Sequence, residues 1–321
     1  MTRRDSTLAG LPFLALALAP ACYTSHDSPD DDMDGGCGDG RDCDSSVGDA
    51  DAVFDVMCSS AMSCTPLDCP PGMVFVPCGP FVMGSGPEMH EPEEQPAHVV
   101  CLSSFCIDRI EVAWEEWDAC VAAGGCDPLD PRYCPAGRSR EPVSCIYRNQ
   151  AAPYCAWKGG RLPTEAQWEK AARGGCEIVA PETCGPEDMG IYPWGDVPPT
   201  CELANFSPDP YADPRVTCTP LGAVEPVDSH PAGASPYDVL NMAGNAEEVV
   251  ADEYYGTYYG TLPPGAVDPQ GPPPTDPPCI QYRGGGSVDD AEFVRLARRR
   301  GSSPCRGERL FGSGFRCTFP P

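Results

Sequence analysis

The sequence predicts a loop-rich domain of short strands and short helices that disulfide bonds hold together. Of its 321 residues, 40 are proline and 34 are glycine, a share that disfavours long helices. The 21 cysteines do not repeat a C-x-x-C spacing and histidines number only 4, so disulfides in an oxidising compartment explain the cysteines better than metal clusters do. The hydrophobic content of 41% is enough for a core. The amino-acid composition changes near residue 72 and stays uniform after it, which indicates one domain of about 250 residues.

The first 22 residues have the pattern of an export signal. Arg3 and Arg4 precede an apolar run of about a dozen residues, which is too short to span a bilayer. Ala-Pro-Ala then precedes Cys22, as in a bacterial lipoprotein cleavage site, although Ala19 stands where leucine is usual. We therefore predict a signal peptide over residues 1–21, a lipid anchor on Cys22 and a place in the cell envelope, in the periplasm or on the outer membrane. Secretion without a lipid is the alternative.

Residues 22–71 are predicted to be an acidic, largely disordered tether. They contain many aspartates and few aromatics, so they cannot bury enough surface to fold alone. Asp30, Asp32 and Asp34 imitate the start of an EF-hand loop, but Arg41 stands at its twelfth position, where calcium needs a carboxylate. Local disulfides are expected among Cys37, Cys43, Cys58, Cys64 and Cys69. The net charge of −27 argues against nucleic acid as a partner, because phosphate binding needs an excess of Lys and Arg.

From residue 72 onward, apolar segments alternate with turns. GMVFVPCGPFVMGSG predicts a β-hairpin. EVAWEEWDACVAAGG predicts a helix with Trp114, Trp117 and Val121 on one face, ending at a glycine pair.

Two more short helices follow in the sequence. NQAAPYCAWKGG predicts a helix capped by Asn149. RLPTEAQWEKAARGG predicts a helix that begins with a capping box of Thr164 and Gln167 and ends at Gly174.

Seven segments occur in an order that is typical of one protein family: GMVFVPCGPFVMGS, FCIDRIEVAWEEW, GGRLPTEAQWEKAARGG, YPWGD, SPYDVLNMAGNAEEVVADEYY, RGGGS and GSGFRC. In these segments the chain resembles the formylglycine-generating (sulfatase-modifying factor) family. The resemblance covers residues 72–321. It implies a single α+β domain related to the C-type-lectin-like fold, rich in disulfides and low in regular secondary structure.

The resemblance also implies structural calcium. In the family, a motif like NMAGNAEE supplies side-chain and backbone oxygens, which here belong to Asn241, Gly244, Ala246 and Glu248. A tight glycine-containing turn aims such oxygens at one point, as a hard cation requires. A second family site would use Asn205 and Phe206, but its downstream aspartate has no counterpart around Thr219. The alternative is that these asparagines form turns and that Glu248 is a surface acid.

The family's oxidation chemistry depends on two cysteines after the GGS motif, which bind copper as thiolates. Counting from Ser287, those positions hold Asp290 and Arg295. An aspartate offers a hard oxygen and an arginine offers no lone pair, so neither suits Cu(I) and we expect no copper. The resemblance further implies a disulfide between Cys155 and Cys317.

The predicted function is therefore a non-catalytic binding or scaffold module for an unknown protein or glycan, with Ser287, Asp289 and Asp290 as candidate cleft residues. A formylglycine-generating oxidoreductase and an altered enzyme that uses the cleft carboxylates remain the alternatives. Four scattered histidines argue against the family's non-haem iron relatives, which use three histidine ligands. The arginine-rich run Arg295–Arg300 predicts either an anion-binding surface or, as we favour, ion pairs with Asp289, Asp290 and Glu292.

Overall fold

The computed structural model describes residues 58, 62–86, 91–132, 134, 137–179, 184–185, 188, 190–209, 216–301, 305 and 312–320. The predicted signal peptide, Cys22 and most of the acidic tether lie outside these residues. Within them, no helix is long and apolar enough to cross a membrane.

Three small sheets form the framework of the domain. The strands are β1 (Met73–Val76), β2 (Gly79–Met83), β3 (His98–Leu102), β4 (Phe105–Asp108), β5 (Glu247–Glu253), β6 (Ala266–Val267), β7 (Ile280–Arg283), β8 (Arg300–Gly301), β9 (Ser313–Gly314) and β10 (Thr318–Phe319). The sheet orders are β1-β4-β10, β2-β3-β6 and β8-β7-β5-β9. The fold is thus α+β with short elements, as the resemblance implied.

The helices of the described residues are few and short. They are α1 (Trp114–Ala122), α2 (Arg148–Trp157), α3 (Glu165–Arg173) and α4 (Cys176–Val179), with 3₁₀ turns at Pro92–Glu94, Pro220–Gly222, Pro231–Gly233 and Tyr259–Thr261. Trp114, Trp117 and Cys120 form the buried face of α1. Most of the described residues therefore lie in loops. Disulfide bridges and buried ion pairs must hold these loops in place.

The predicted hairpin over residues 72–86 is wrong. Its two strands form but do not pair with each other, because β1 pairs with β4 and β2 pairs with β3. The buried ammonium of Lys170 donates to the carbonyl oxygens of Pro77 (2.8 Å) and Gly79 (3.1 Å), and Cys78 is bridged to Cys64. The connection is thereby fixed so that its two strands enter different sheets.

The helix starts show how far local sequence determines local structure. In α3, Thr164 Oγ1 accepts from the Gln167 amide (3.1 Å) and Gln167 Oε1 accepts from the Thr164 amide (3.0 Å), so the predicted capping box is confirmed. The predicted Asn149 cap of α2 is wrong. Tyr147 is the N-cap, and its amide donates to the side-chain oxygen of Gln150 (3.0 Å).

Two aromatic-centred clusters form most of the core. Trp117, Tyr154 and Phe315 pack together in one, with Tyr154 and Phe315 edge to face at 5.3 Å between ring centroids. Trp168 and Phe81 lie in the other. β5 contributes buried residues to both clusters, so it joins the core to the loops described below.

Every cysteine of the described residues forms a disulfide. The pairs are Cys58–Cys101, Cys64–Cys78, Cys69–Cys106, Cys120–Cys126, Cys134–Cys145, Cys155–Cys317, Cys176–Cys184, Cys201–Cys218 and Cys279–Cys305. The Cys155–Cys317 bridge is the one that the resemblance implied. The local bridges expected for Cys58, Cys64 and Cys69 are not formed, because each of these cysteines joins a strand of the domain or its flank. The end of the predicted tether is thereby attached covalently to the domain.

One buried carboxyl predicts how stability responds to pH. Burial, together with the nearby Glu165, raises the pKa of Asp252 to about 7. The folded state therefore binds more protons than the unfolded state between pH 4 and 7, and this contribution to stability is lost as pH rises through that window. Asp252→Asn keeps an acceptor for the Glu165 amide, which donates to Asp252 Oδ2 at 2.7 Å. We expect it to be more stable than the wild type at pH 8 by on the order of 2–4 kcal/mol, at about 1.4 kcal/mol per pKa unit.

The measurement is the free energy of unfolding in urea at pH 5, 6, 7 and 8 for both proteins. Comparing the difference between the two proteins removes the contribution of other titrating groups. A difference that does not change with pH would mean that Asp252 is ionised in the folded state throughout.

Candidate functional site

A cleft of about 240 Å³ opens where the start of β5, the turn after β7 and strand β8 meet. It is lined by Gly222, Val224, Asn245, Glu247, Gly286, Ser287, Val288, Asp289, Arg300 and Gly312. Two predicted cleft residues, Ser287 and Asp289, are in this lining. The third, Asp290, is not part of it.

Backbone geometry holds the turn that carries Ser287. Gly285 has φ 65°, and a Cβ on it would lie 2.7 Å from the carbonyl oxygen of Phe293, so only glycine fits. The Ser287 amide donates to the Asn245 carbonyl (3.0 Å), and its hydroxyl donates to the Gly222 carbonyl (2.5 Å). Since its hydroxyl donates to a carbonyl oxygen, Ser287 fixes the wall of the cleft.

The cleft contains one cation between two carboxylates. Arg300 Nη1 lies 3.3 Å from Glu247 Oε1 and 3.3 Å from Asp289 Oδ2, and its side chain is 38% exposed. Asp289 Oδ2 also accepts from the Gly286 amide (2.9 Å), which ties this carboxylate to the turn. Burial raises the pKa of Glu247 to about 8, and Asp289 adds to the rise. The cleft therefore offers Arg300 as a partly exposed donor beside Glu247, an acid whose pKa is raised.

Asp290 and Arg295, the two residues predicted to stand where the family has thiolates, have structural roles. Asp290 Oδ1 accepts from the amides of Glu292 (2.9 Å) and Phe293 (3.2 Å), so it caps the turn. Arg295 is buried and makes a two-point ion pair with Glu94, at 2.8 and 2.9 Å. Neither side chain offers a soft ligand, so these residues do not fit a copper ion.

The arginine-rich run forms internal ion pairs instead of an anion-binding surface. Arg298 lies 2.8 Å from Glu91, and Nε and Nη2 of Arg299 contact the two oxygens of Glu165 at 2.8 and 2.9 Å. Of the expected acidic partners, Glu292 pairs with Arg295 at 3.0 Å and Asp289 pairs with Arg300 at 3.3 Å. Most of the other partners come from distant parts of the chain.

A fully buried arginine anchors the base of the turn. Arg283 pairs with Glu169 and donates to the carbonyl oxygen of Leu296 (2.6 Å). Its guanidinium also lies 3.4 Å from Glu165 and 5.2 Å from the Trp168 ring centroid. Because Arg283 ends β7, this network connects α3 to both ends of the cleft turn.

Three of the predicted calcium residues, Asn241, Gly244 and Ala246, lie on one tight turn before β5. Gly244 has φ 80°, and a Cβ there would lie 2.3 Å from the Asn205 carbonyl oxygen. Asn241 Nδ2 donates to Glu111 (2.7 Å), whereas the buried Asn241 Oδ1 has no hydrogen-bond partner among the described residues. A bound cation would satisfy such an oxygen, so these residues fit calcium.

Glu248, the fourth predicted calcium residue, already has protein donors. Arg316 donates to both of its carboxylate oxygens, from Nε at 2.7 and 2.9 Å, and Trp168 Nε1 donates at 2.8 Å. The carboxylate of Glu111 is buried nearby, and burial raises its pKa to about 8. Arg316 is thus the cation near two buried acidic residues, Glu248 and Glu111, in this part of the core.

The second predicted calcium pair does not fit a hard cation. The Thr219 hydroxyl donates to Asn205 Oδ1 (3.3 Å), and the Cys218 amide donates to the Phe206 carbonyl (3.0 Å). The segment around Thr219 supplies a hydroxyl where a calcium site needs a carboxylate. Among the described residues, no group of three or more His, Cys, Asp or Glu side chains is placed to hold a metal ion.

Comparison with known proteins assigns the chain to a family. Residues 60–319 match the sulfatase-modifying factor enzyme 1-like domain. The chain belongs to the sulfatase-modifying factor family. It is 29% identical to the formylglycine-generating enzyme of Thermomonospora curvata over 315 residues, which covers 80% of this chain and 96% of that enzyme. It is also 33% identical to the hercynine oxygenase of Mycolicibacterium smegmatis over 210 residues, but this covers 54% of the chain and only 44% of that enzyme.

Solved structures agree with this family assignment. PvdO from Pseudomonas aeruginosa superposes with a TM-score of 0.57 at 25% identity, covering 81% of this chain and 99% of PvdO. Treponema denticola variable protein 1, at 18% identity and a TM-score of 0.54, shares the fold. These neighbours are consistent with a C-type-lectin-like fold. The family includes oxidoreductase-type enzymes, so the side chains of this member decide what its cleft can do.

Sequence reasoning missed the charged centre of the cleft. It assigned Glu247 no role, and it grouped Arg300 with its neighbours in the arginine-rich run. The two residues are 53 positions apart, and their contact depends on β7 lying between β5 and β8. A weak signal existed, since Glu247 places a charge directly beside the predicted calcium turn.

Proposed function

We propose that this chain is a non-catalytic member of the sulfatase-modifying factor family, a binding or scaffold module that uses the family cleft to hold a protein or glycan ligand. The buried two-point ion pair of Arg295 with Glu94 carries this proposal, because it fills a position of a family thiolate with a permanently charged group. The bridged state of every described cysteine supports it. Arg300 and Asp289, with Glu247, provide hydrogen-bonding groups for a polar ligand.

We further propose that the protein is anchored in the cell envelope. Nine disulfides agree with an oxidising compartment. The sequence before Cys22 supports export and lipidation. Labelling cells with a fatty-acid probe tests this point, since a Cys22→Ser variant should lose the label.

An experiment on the full chain tests whether the protein lacks the family's oxidation of a substrate cysteine. After Cu(I) loading in the presence of oxygen and a cysteine-containing peptide, mass spectrometry should detect no conversion of the peptide cysteine to an aldehyde. Peptide mapping after thiol labelling should find every cysteine from Cys58 to Cys317 unlabelled. Tight copper binding with peptide conversion, or a labelled thiol near the cleft turn, would contradict the proposal.

Ligand binding in the cleft is tested with arrays of glycans and peptides. Arg300→Gln should lose the ligands that the wild type retains, because it removes the exposed cation of the cleft. Arg140→Gln is the matched control, since it removes an exposed, ion-paired arginine elsewhere. Ligands bound equally by the wild type and Arg300→Gln would place the binding surface outside the cleft.

We also propose that calcium binds at Asn241, Gly244, Ala246 and Glu248. The buried, unpartnered Asn241 Oδ1 supports this site. Calcium at 100 times its dissociation constant should stabilise the fold by about 2.7 kcal/mol, which raises the melting temperature by roughly 5–10 °C in a domain of this size.

The measurement is the melting temperature in calcium minus that in chelator, together with the metal content of the purified protein. Asn241→Ala should abolish the difference. Asn205→Ala, at the second predicted pair, is the control that should lower both melting temperatures and leave their difference unchanged. A wild-type melting temperature that is the same in calcium and in chelator would refute the proposed site.

A further inference from the structure

A second pocket lies away from the cleft lining, beside the start of α2 and the middle of β5. Its volume is about 330 Å³, and it is lined by Arg148, Asn149, Ala152, Arg161, Leu162 and Ala251. None of these residues lines the family cleft. The pocket thus combines two guanidinium groups with a small apolar wall of alanine and leucine.

Arg161 differs from the other cations of the described chain. Every other described lysine or arginine has a side-chain nitrogen within 4.0 Å of a carboxylate oxygen. Arg161 has no such partner among the described residues. Its Nη1 makes one long contact, 3.4 Å, with the amide oxygen of Gln270. Its Nε is buried and has no hydrogen-bond partner among the described residues.

Backbone hydrogen bonds fix the position of Arg161. The Arg161 amide donates to the Thr318 carbonyl (2.9 Å), and the Thr318 amide donates to the Arg161 carbonyl (2.7 Å). The neighbouring Leu162 is buried in the core. A buried donor left unpaired costs free energy, and its presence on a rigid frame beside a pocket calls for a partner outside the chain.

The other arginine of the pocket is already neutralised. Arg148 pairs with Glu253 and donates to the carbonyl oxygens of Ala251 and Asp252, each at 3.1 Å. The pocket therefore holds one uncompensated positive charge, contributed by Arg161. One such charge, in a chain of net charge −27, matches a monoanion better than a phosphate dianion. The apolar wall matches a short aliphatic group attached to that anion.

We propose that this pocket is a binding site for a carboxylate that carries a short aliphatic group, with the guanidinium of Arg161 holding the carboxylate. A guanidinium presents its donors in a planar fork that matches the two oxygens of a carboxylate. Ala152, Leu162 and Ala251 contact the aliphatic group. Two sources share this chemistry, a free short-chain carboxylic acid and the C-terminal residue of a peptide. The site is independent of the proposed function of the cleft.

Titration of the full chain, followed by the arginine Nε–H signals in ¹H–¹⁵N spectra, tests the proposal. The probes are butyrate, the peptide N-acetyl-Ala-Val with a free carboxylate, and the same peptide as its C-terminal amide. The Arg161 signal should shift with both carboxylates and not with the amide. The ratio of the two dissociation constants identifies the source, since a peptide site binds the peptide more tightly than butyrate.

Two variants separate the charge from the apolar wall. Arg161→Gln should weaken binding by roughly tenfold or more, the expected effect of losing a charge-assisted hydrogen bond. Ala152→Leu, on the exposed side of α2, should block the pocket while Arg161 keeps its charge. Arg140→Gln is the control and should bind like the wild type. An Arg161 signal that no carboxylate moves, equal binding of acid and amide, or full binding by Arg161→Gln would each overturn the proposal.

Discussion

Replacing Arg283 by methionine is expected to lower the free energy of unfolding by about 3–5 kcal/mol, the usual effect of removing one partner from a buried ion pair. Arg283 is fully buried and pairs with Glu169 beneath the ring of Trp168. Without it, Arg173 is the cationic partner that Glu169 keeps among the described residues, at 2.9 Å. In a domain of this size the melting temperature should fall by roughly 6–20 °C.

Differential scanning calorimetry of the wild type and Arg283→Met measures this effect. The double variant Arg283→Met/Glu169→Gln should recover none of the loss, because it takes the carboxylate partner from the buried Arg173. Arg140→Gln breaks two exposed ion pairs and should change stability by less than about 1 kcal/mol. A loss below about 1 kcal/mol for Arg283→Met would mean that water or another group compensates Glu169.

The Arg283 network also fixes the shape of the cleft. Arg283 bonds to the carbonyl oxygens of Leu296, Ala297 and Arg298, which follow the cleft turn. The buried pair of Arg295 and Glu94 fixes the same segment from the other side. The turn is therefore held by buried charge on both flanks, and its geometry does not depend on thiols.

Local features of the fold were predictable because their partners are close in the sequence. The capping box of Thr164 and Gln167 spans three residues, and it forms as predicted. The hairpin prediction failed because the strand partners of β1 and β2 are chosen by distant segments. Alternation of apolar residues predicts a strand, but it contains no information about which strand lies beside it.

The same limit applies to the cleft and to the second pocket. The ion pair of Arg295 and Glu94 joins residues 201 positions apart, so the sequence shows two charges and not their contact. The unpaired state of Arg161 is harder still to predict, since it depends on where every nearby carboxylate lies. The disulfide between Cys155 and Cys317 was accessible only through the family resemblance, because sequence spacing does not determine connectivity.

Removal of that disulfide is the second change with a large expected effect. Its cysteines are 162 residues apart and fully buried, and the bridge ties α2 to the segment before β10. A loop of this length corresponds to a stabilisation of about 5 kcal/mol in the chain-entropy account of cross-links. The double variant Cys155→Ala/Cys317→Ala should therefore lose more stability than any other pair of cysteines replaced in the same way.

The matched comparison is Cys120→Ala/Cys126→Ala, which opens a bridge of sequence separation 6 and should cost about 2 kcal/mol by the same account. Both variants delete two sulfur atoms, so the difference between them reports the length of the loop. Urea unfolding under non-reducing conditions gives the two free energies directly. Equal losses would show that packing around the sulfurs, and not the constraint on the unfolded chain, sets the contribution of these bridges. Such a result would also mean that the many bridges of this domain stabilise mainly its loops, one at a time.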